Sequence, residues 1–131
     1  MQVDVVSPEK LLFSSEAISV EIPGADGDMT AMANHAALIT TLRPGILRVV
    51  QEKNTNEYVV TGGFAELGEG VSVLAKSGKK ADFNREMFDE TLLVAENALE
   101  SARASSDGIA VDMAAKSLSD FNILGEQLGF K

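Results

Sequence analysis

The chain has 131 residues, 45% of them apolar, and a formal net charge of −9. That size and apolar content suit one medium domain, or a small domain with an appendage, and exclude wholesale disorder. The acidic balance argues against nucleic acid and anionic lipid as direct ligands, and the lack of cysteine removes disulfides and thiolate metal sites. No apolar run reaches the roughly 18 residues a membrane span requires, and the first residues lack a signal-peptide pattern.

Up to about Ala75 the apolar residues recur with a period of two, as on strands with one face buried. Val3 and Val5 flank Asp4, and Ile18, Val20 and Ile22 alternate with Ser19 and Glu21. Tyr58 and Val60 precede a Gly62-Gly63 break, and Val71, Val73 and Ala75 follow Gly70. Breakers at Ser7-Pro8, Pro23-Gly24, Asn34, Pro44-Gly45, Asn54 to Asn56 and Gly68 to Gly70 fall at strand-plus-turn spacing. Many short strands so spaced predict a β-sandwich or barrel. The segment PGADGDMTAMANHAALITTLRPG, residues 23–45, is rich in turn residues and holds the single histidine, His35. It reads as short strands, Met29 to Ala33 and Leu38 to Leu42, joined by turns that present a shaped surface.

From Asp82 onward the period lengthens. Phe88, Leu92, Ala95, Leu99 and Ala102 step by fours and threes, and so do Val111, Ala114, Leu118, Phe121, Gly125 and Leu128 after a Ser105-Ser106-Asp107-Gly108 break. Each set is the seam of a helix packed on another, and the short link makes the pair an antiparallel hairpin. Asp82 is the expected cap of the first helix, Ile109 to Leu128 the expected second, and Lys76 to Lys80 the expected hinge. Residues 1–81 carry seven basic and ten acidic side chains, net −3, whereas residues 82–131 carry four and ten, net −6. With Ala and Gly in its seam the hairpin buries little surface alone, so it is expected to rest on another surface and to detach at modest cost.

Three ordered motifs resemble the epsilon subunit of bacterial F-type ATP synthase, the delta subunit of the mitochondrial enzyme. They are DVVSPEKLLFSSEA (residues 4–17), NHAALITTLRPG (34–45) and TGGFAELGEGVSVLA (61–75). Alanine at position 37 replaces a proline frequent in that family two residues after the histidine. The resemblance implies a ten-stranded β-sandwich over residues 1–80 followed by an antiparallel two-helix hairpin over 81–131. It further implies a non-catalytic rotor subunit at the cytoplasmic face of the bacterial plasma membrane, coupling proton-driven ring rotation to ATP synthesis. The partners implied are the gamma subunit and the membrane c-ring, with the catalytic beta and alpha subunits as further candidates through the hairpin.

By the same resemblance Asp28, Met29, Thr30, Ala31, Met32, Asn34 and His35 form the partner-binding region facing the ring. A bland reading of Asp28, as a residue completing a turn, stands beside this one. No catalytic, metal or cofactor site is expected: a lone histidine has no paired acid or second ligand, and Gly62-Gly63 and Ser77-Gly78-Lys79 lack phosphate-loop spacing. Some members bind ATP through an apolar-Asp-x-x-Arg-Ala motif. Here Ala81-Asp82-Phe83-Asn84-Arg85-Glu86 keeps only Asp82 and Arg85, a degraded match. Related subunits brake ATP hydrolysis with basic residues on the second helix; this one offers only Lys116 against Asp112, Asp120 and Glu126, so weak intrinsic inhibition is expected. The alternative function is a free-standing β-sandwich module binding a small ligand or peptide.

Overall fold

Alternating valines and isoleucines favour strands in the first two thirds of the chain, because a β-branched side chain packs well on a pleated surface. The structure is a computed structural model, and it describes residues 1–130. In order it contains β1 (Gln2–Val6), β2 (Leu11–Glu16), β3 (Ser19–Gly24), β4 (Gly27–Met32), β5 (Leu38–Thr41), β6 (Gly45–Val50), β7 (Thr55–Leu67) and β8 (Val71–Lys79). A 3-10 turn, Lys80–Asp82, ends this part, and α1 (Arg85–Ser105) and α2 (Gly108–Gln127) follow. The chain divides into two compact units, Met1–Asp82 and Phe83 onward.

The strands hydrogen-bond in the order β2-β1-β8-β7-β6-β3-β4, with β5 also on β7. Every pairing is antiparallel except β1 with β8. The long strand β7 serves both layers: Thr55–Val60 pairs with β6, and Phe64–Leu67 pairs with β5. Its companion β8 follows it through the corner, where β7 carries one extra residue between Val60 and Gly63. Such a bulge bends the strand and folds the sheet over on itself. Gly63 makes the corner possible. Its φ is +133°, and an added Cβ would collide with the Leu74 carbonyl oxygen and lie 2.6 Å from the Ala75 Cα.

The described residues therefore form eight strands, not the ten expected. Cutting β7 and β8 at the corner gives ten segments, but their backbone ladder runs on through it. Inward side chains of both layers form one core. Val3, Val5, Ala65, Leu67, Val71 and Val73 of one layer share it with Val20, Ile22, Leu47, Val49, Tyr58 and Val60 of the other. Each buried side chain of this kind stabilises the fold by about 1.5–3 kcal/mol relative to an exposed one.

Two expectations near the end of the sandwich need correction. Ser77, Gly78 and Lys79 are not a hinge but the last residues of β8, paired with Val60, Val59 and Tyr58. Nor does Asp82 cap α1: it closes the 3-10 turn, and Asn84 is the cap, accepting from the Met87 N–H at 2.9 Å. The link between the helices is as read. Ser106 takes the left-handed conformation that ends α1, and Asp107 caps α2 by accepting from the Ile109 and Ala110 N–H groups. Phe88, Ala95, Leu99 and Ala102 of α1 and Phe121, Leu124 and Gly125 of α2 are buried. The Phe88 and Phe130 rings meet 5.5 Å apart across the open end of the hairpin.

Candidate partner-binding surface

β4 is the last strand of its layer, so one side of its backbone is unpaired and its outward side chains are accessible. The β3 register, Pro23 opposite Asp28 and Ile22 opposite Met29, sets the alternation. Asp28, Thr30 and Met32 are exposed, Met29 packs against the core, and Ala31 is fully buried. Met29 is thus only partly accessible and Ala31 not at all, unlike the outward Asp28, Thr30 and Met32. The chain then turns at Asn34, whose φ of +61° asparagine tolerates, and exposes it beside His35. His35 is half-buried, and its Nδ1 lies 2.7 Å from the Ala36 carbonyl oxygen. A carbonyl only accepts, so Nδ1 carries the proton there and Nε2 is left for another partner.

The turn joining β3 and β4 is tied to the segment between β5 and β6. Ala25 donates to the Thr41 carbonyl at 2.8 Å, and Arg43 N–H donates to that of Pro23 at 3.0 Å. The Arg43 guanidinium donates to the Gly24 carbonyl at 2.6 Å and to the Asp28 carboxylate. Sequence reasoning passed over Arg43. The available signal was its isolation, as the first basic residue after Lys10, following an acidic turn.

A second exposed feature crosses the outer face of the other layer. Leu11, Val6, Leu74 and Phe64 are successive cross-strand partners on β2, β1, β8 and β7. Leu11, Leu74 and Phe64 are each more than 40% exposed, and so is Ile39 on β5. Beside this stripe lies a groove of about 450 Å³ lined in part by Val6, Pro8, Gly63 and Leu74. The stripe was legible as apolar residues at the outward parity of their strands, a pattern masked by the stronger inward one.

Among the described residues no group of three or more His, Asp or Glu is arranged to hold a metal ion. Asp82 is exposed in the turn that closes the first unit, and Arg85 opens α1 and pairs weakly with Asp89 at 3.8 Å. Tyr58, edge-on to Phe13 at 6.5 Å, has its phenol pKa raised by desolvation and so stays protonated. Among the described residues no helix is long and apolar enough to cross a membrane.

The two-layer sandwich thus presents an unpaired β4 edge and an exposed apolar stripe, and a helical hairpin follows it in the chain. Residues 1–81 match the family described as ATP synthase, Delta/Epsilon chain, beta-sandwich domain. The ATP synthase epsilon chain of Fuscovulum blasticum is 49% identical, covering 99% of this chain and 97% of that one. That of Ruegeria sp. strain TM1040 is 47% identical over 98% and 96%. A chain in the cryo-EM structure of the Euglena gracilis mitochondrial ATP synthase, OSCP/F1/c-ring, superposes with a TM-score of 0.70 at 22% identity, covering 96% of this chain and 79% of that one. The chain belongs to the ATP synthase delta/epsilon family. It is accordingly a non-catalytic rotor subunit of that complex, and a free-standing binding module is not favoured.

Proposed function

We propose that the sandwich transmits torque by gripping the gamma subunit and the c-ring, at the cytoplasmic face of the bacterial plasma membrane. A link of this kind must be stiff, and a close-packed two-layer sandwich has little internal compliance. The outward residues of β4 and the following turn, Asp28, Thr30, Met32, Asn34 and His35, form the ring-facing surface. The apolar stripe Leu11-Val6-Leu74-Phe64 suits the drier, larger contact with gamma, since exposed apolar patches of that kind mark protein interfaces. The observation that carries the reading is the unpaired outer edge of β4, with Asp28, Thr30 and Met32 exposed on it, in a chain of this family.

Replacing Asp28 with Arg tests it in the reassembled synthase. The change sets a second guanidinium beside Arg43 and reverses the sign of the surface. ATP-driven proton pumping and ATP synthesis should fall severalfold, with hydrolysis by the detached catalytic sector unchanged. Full coupling after substitutions across Asp28, Thr30, Met32, Asn34 and His35 together would place the ring contact elsewhere.

A further inference from the structure

We propose that Arg43 is a positioning residue: its guanidinium clamps the β3–β4 turn in the shape that the partner meets, and Asp28 is half of that clamp. The fork of an arginine can serve two acceptors at once, and here it does. One nitrogen donates to the Gly24 carbonyl at 2.6 Å, and the other pairs with the Asp28 carboxylate. These two acceptors stand at the two ends of the turn, Gly24 opposite Gly27 and Asp28 next along. The guanidinium therefore bridges the strand that enters the turn and the strand that leaves it. Its own backbone is fixed on either side, by the Arg43-to-Pro23 bond and by the Leu42 N–H donating to Gly63 at 2.9 Å. The corner glycine, the segment before Pro44 and the β3–β4 turn are thus linked by consecutive hydrogen bonds.

Exposure separates the two roles within the clamp. The Arg43 side chain is only 23% exposed, whereas that of Asp28 is 81% exposed. An ion pair with one partner so solvated adds little to global stability. Its effect is local: it selects one conformation for a turn that carries a Gly27 at φ +140° and would otherwise sample several. Asp28 accordingly needs an acceptor oxygen more than a negative charge.

The clamp itself stands on the geometry of this chain, and only its consequence for coupling rests on the partner surface proposed above. The test is amide hydrogen exchange by NMR on the full chain, alongside proton pumping by the reassembled synthase. In Arg43→Ala, exchange at the Ala25 amide, which bonds Thr41, should rise tenfold or more while Val20 and Val73 amides stay protected. Arg43→Lys keeps the charge but lacks the fork, so exchange should rise by a smaller factor. Asp28→Asn keeps the acceptor oxygen and should match the natural chain in Ala25 exchange, whereas Asp28→Ala should not. Unchanged Ala25 exchange in both Arg43 variants overturns the clamp. Ala25 exchange in Asp28→Asn raised as far as in Asp28→Ala overturns the acceptor role assigned to the Asp28 oxygen. Raised exchange with full pumping in Arg43→Ala upholds the clamp and overturns the ring-facing surface instead.

Discussion

The two units of this chain hold together by opposite means. In the sandwich, contacts join residues far apart in sequence: β1 pairs in parallel with β8, almost seventy residues on, and Val3 faces Val71. Its core is rich in valine, isoleucine and leucine, and it supplies nine of the eleven largest fully buried side chains among the described residues. In the hairpin, neighbouring helices meet through Ala95, Ala102 and Gly125 as much as through Phe88, Leu99, Phe121 and Leu124. Small residues let helices approach closely but remove little apolar surface from water, so burial per residue is low. The family match covers residues 1–81, the unit with the larger core. The first unit thus has the larger apolar core and the second the smaller.

That contrast makes a large prediction. A chain ending at Asp82 should fold and melt cooperatively, and it should still assemble with the other subunits. A peptide of residues 83–131 should be mostly unstructured, since a pair of roughly 20-residue helices with so sparse a seam does not offset its chain entropy. Circular dichroism of both pieces decides. Full helicity and a sharp melt in the peptide would erase the distinction.

Within the sandwich the most sensitive position is the corner. Gly63→Ala forces a side chain into the left-handed region and against the backbone of β8, a cost of about 3 kcal/mol. Gly68→Ala, with open space and ordinary backbone, should be within about 0.5 kcal/mol of the natural chain. Urea unfolding measures both. Equal midpoints for the two would show that the corner relaxes, and that the sandwich is less stiff than torque transmission needs.

The same corner shows where sequence reading stops. Period-two valines marked the strands because alternation is local and strong. Gly62-Gly63 marked a break, yet the ladder between β7 and β8 resumes beyond it, so the ten strands implied by the resemblance appear here as eight continuous ones among the described residues. Ser77-Gly78-Lys79 has no apolar alternation, and only its partner strand reveals it as sheet. The helix seams were legible from their 3-4 spacing, but Leu124, fully buried, fell outside the a/d stripe because the apolar face is broader than two positions per heptad. Of the candidate surface, the exposed residues of β4 were legible as a turn-rich region. The inward aim of Ala31 and the Arg43 clamp were not, because both follow from pairings 11 to 19 residues apart.

A third prediction asks whether the second unit regulates. α2 carries one cation, Lys116, and that is engaged by Asp120 at 3.0 Å. An acidic target on a catalytic subunit would meet Asp112, Glu126 and a neutralised lysine, a mismatch that repels instead of docking. Removing residues 83–131 from the purified complex should therefore raise ATP hydrolysis by less than about tenfold, or ~1.4 kcal/mol in barrier terms. A larger rise would make the hairpin a strong brake and assign the docking energy to its apolar Ile109 and Met113, which are 74% and 69% exposed.

The smallest effect sharpens the boundary between the units. Asn84 and Asp82 are both good capping residues, and sequence alone favours the acidic one because a negative charge suits a helix N-terminus. The structure assigns the duty to Asn84, in an extended conformation with its side-chain oxygen on the Met87 N–H. Asp82 lies two residues upstream, in a separate 3-10 turn. Truncating a true cap exposes an unpaired donor and costs about 1 kcal/mol, whereas truncating an exposed turn residue costs a few tenths at most. Hydrogen exchange of the first-turn amides of α1, Met87 above all, should thus quicken about fivefold in Asn84→Ala and hardly at all in Asp82→Ala. The reverse order would extend α1 back to residue 83 and move the boundary into what is now the closing turn of the sandwich.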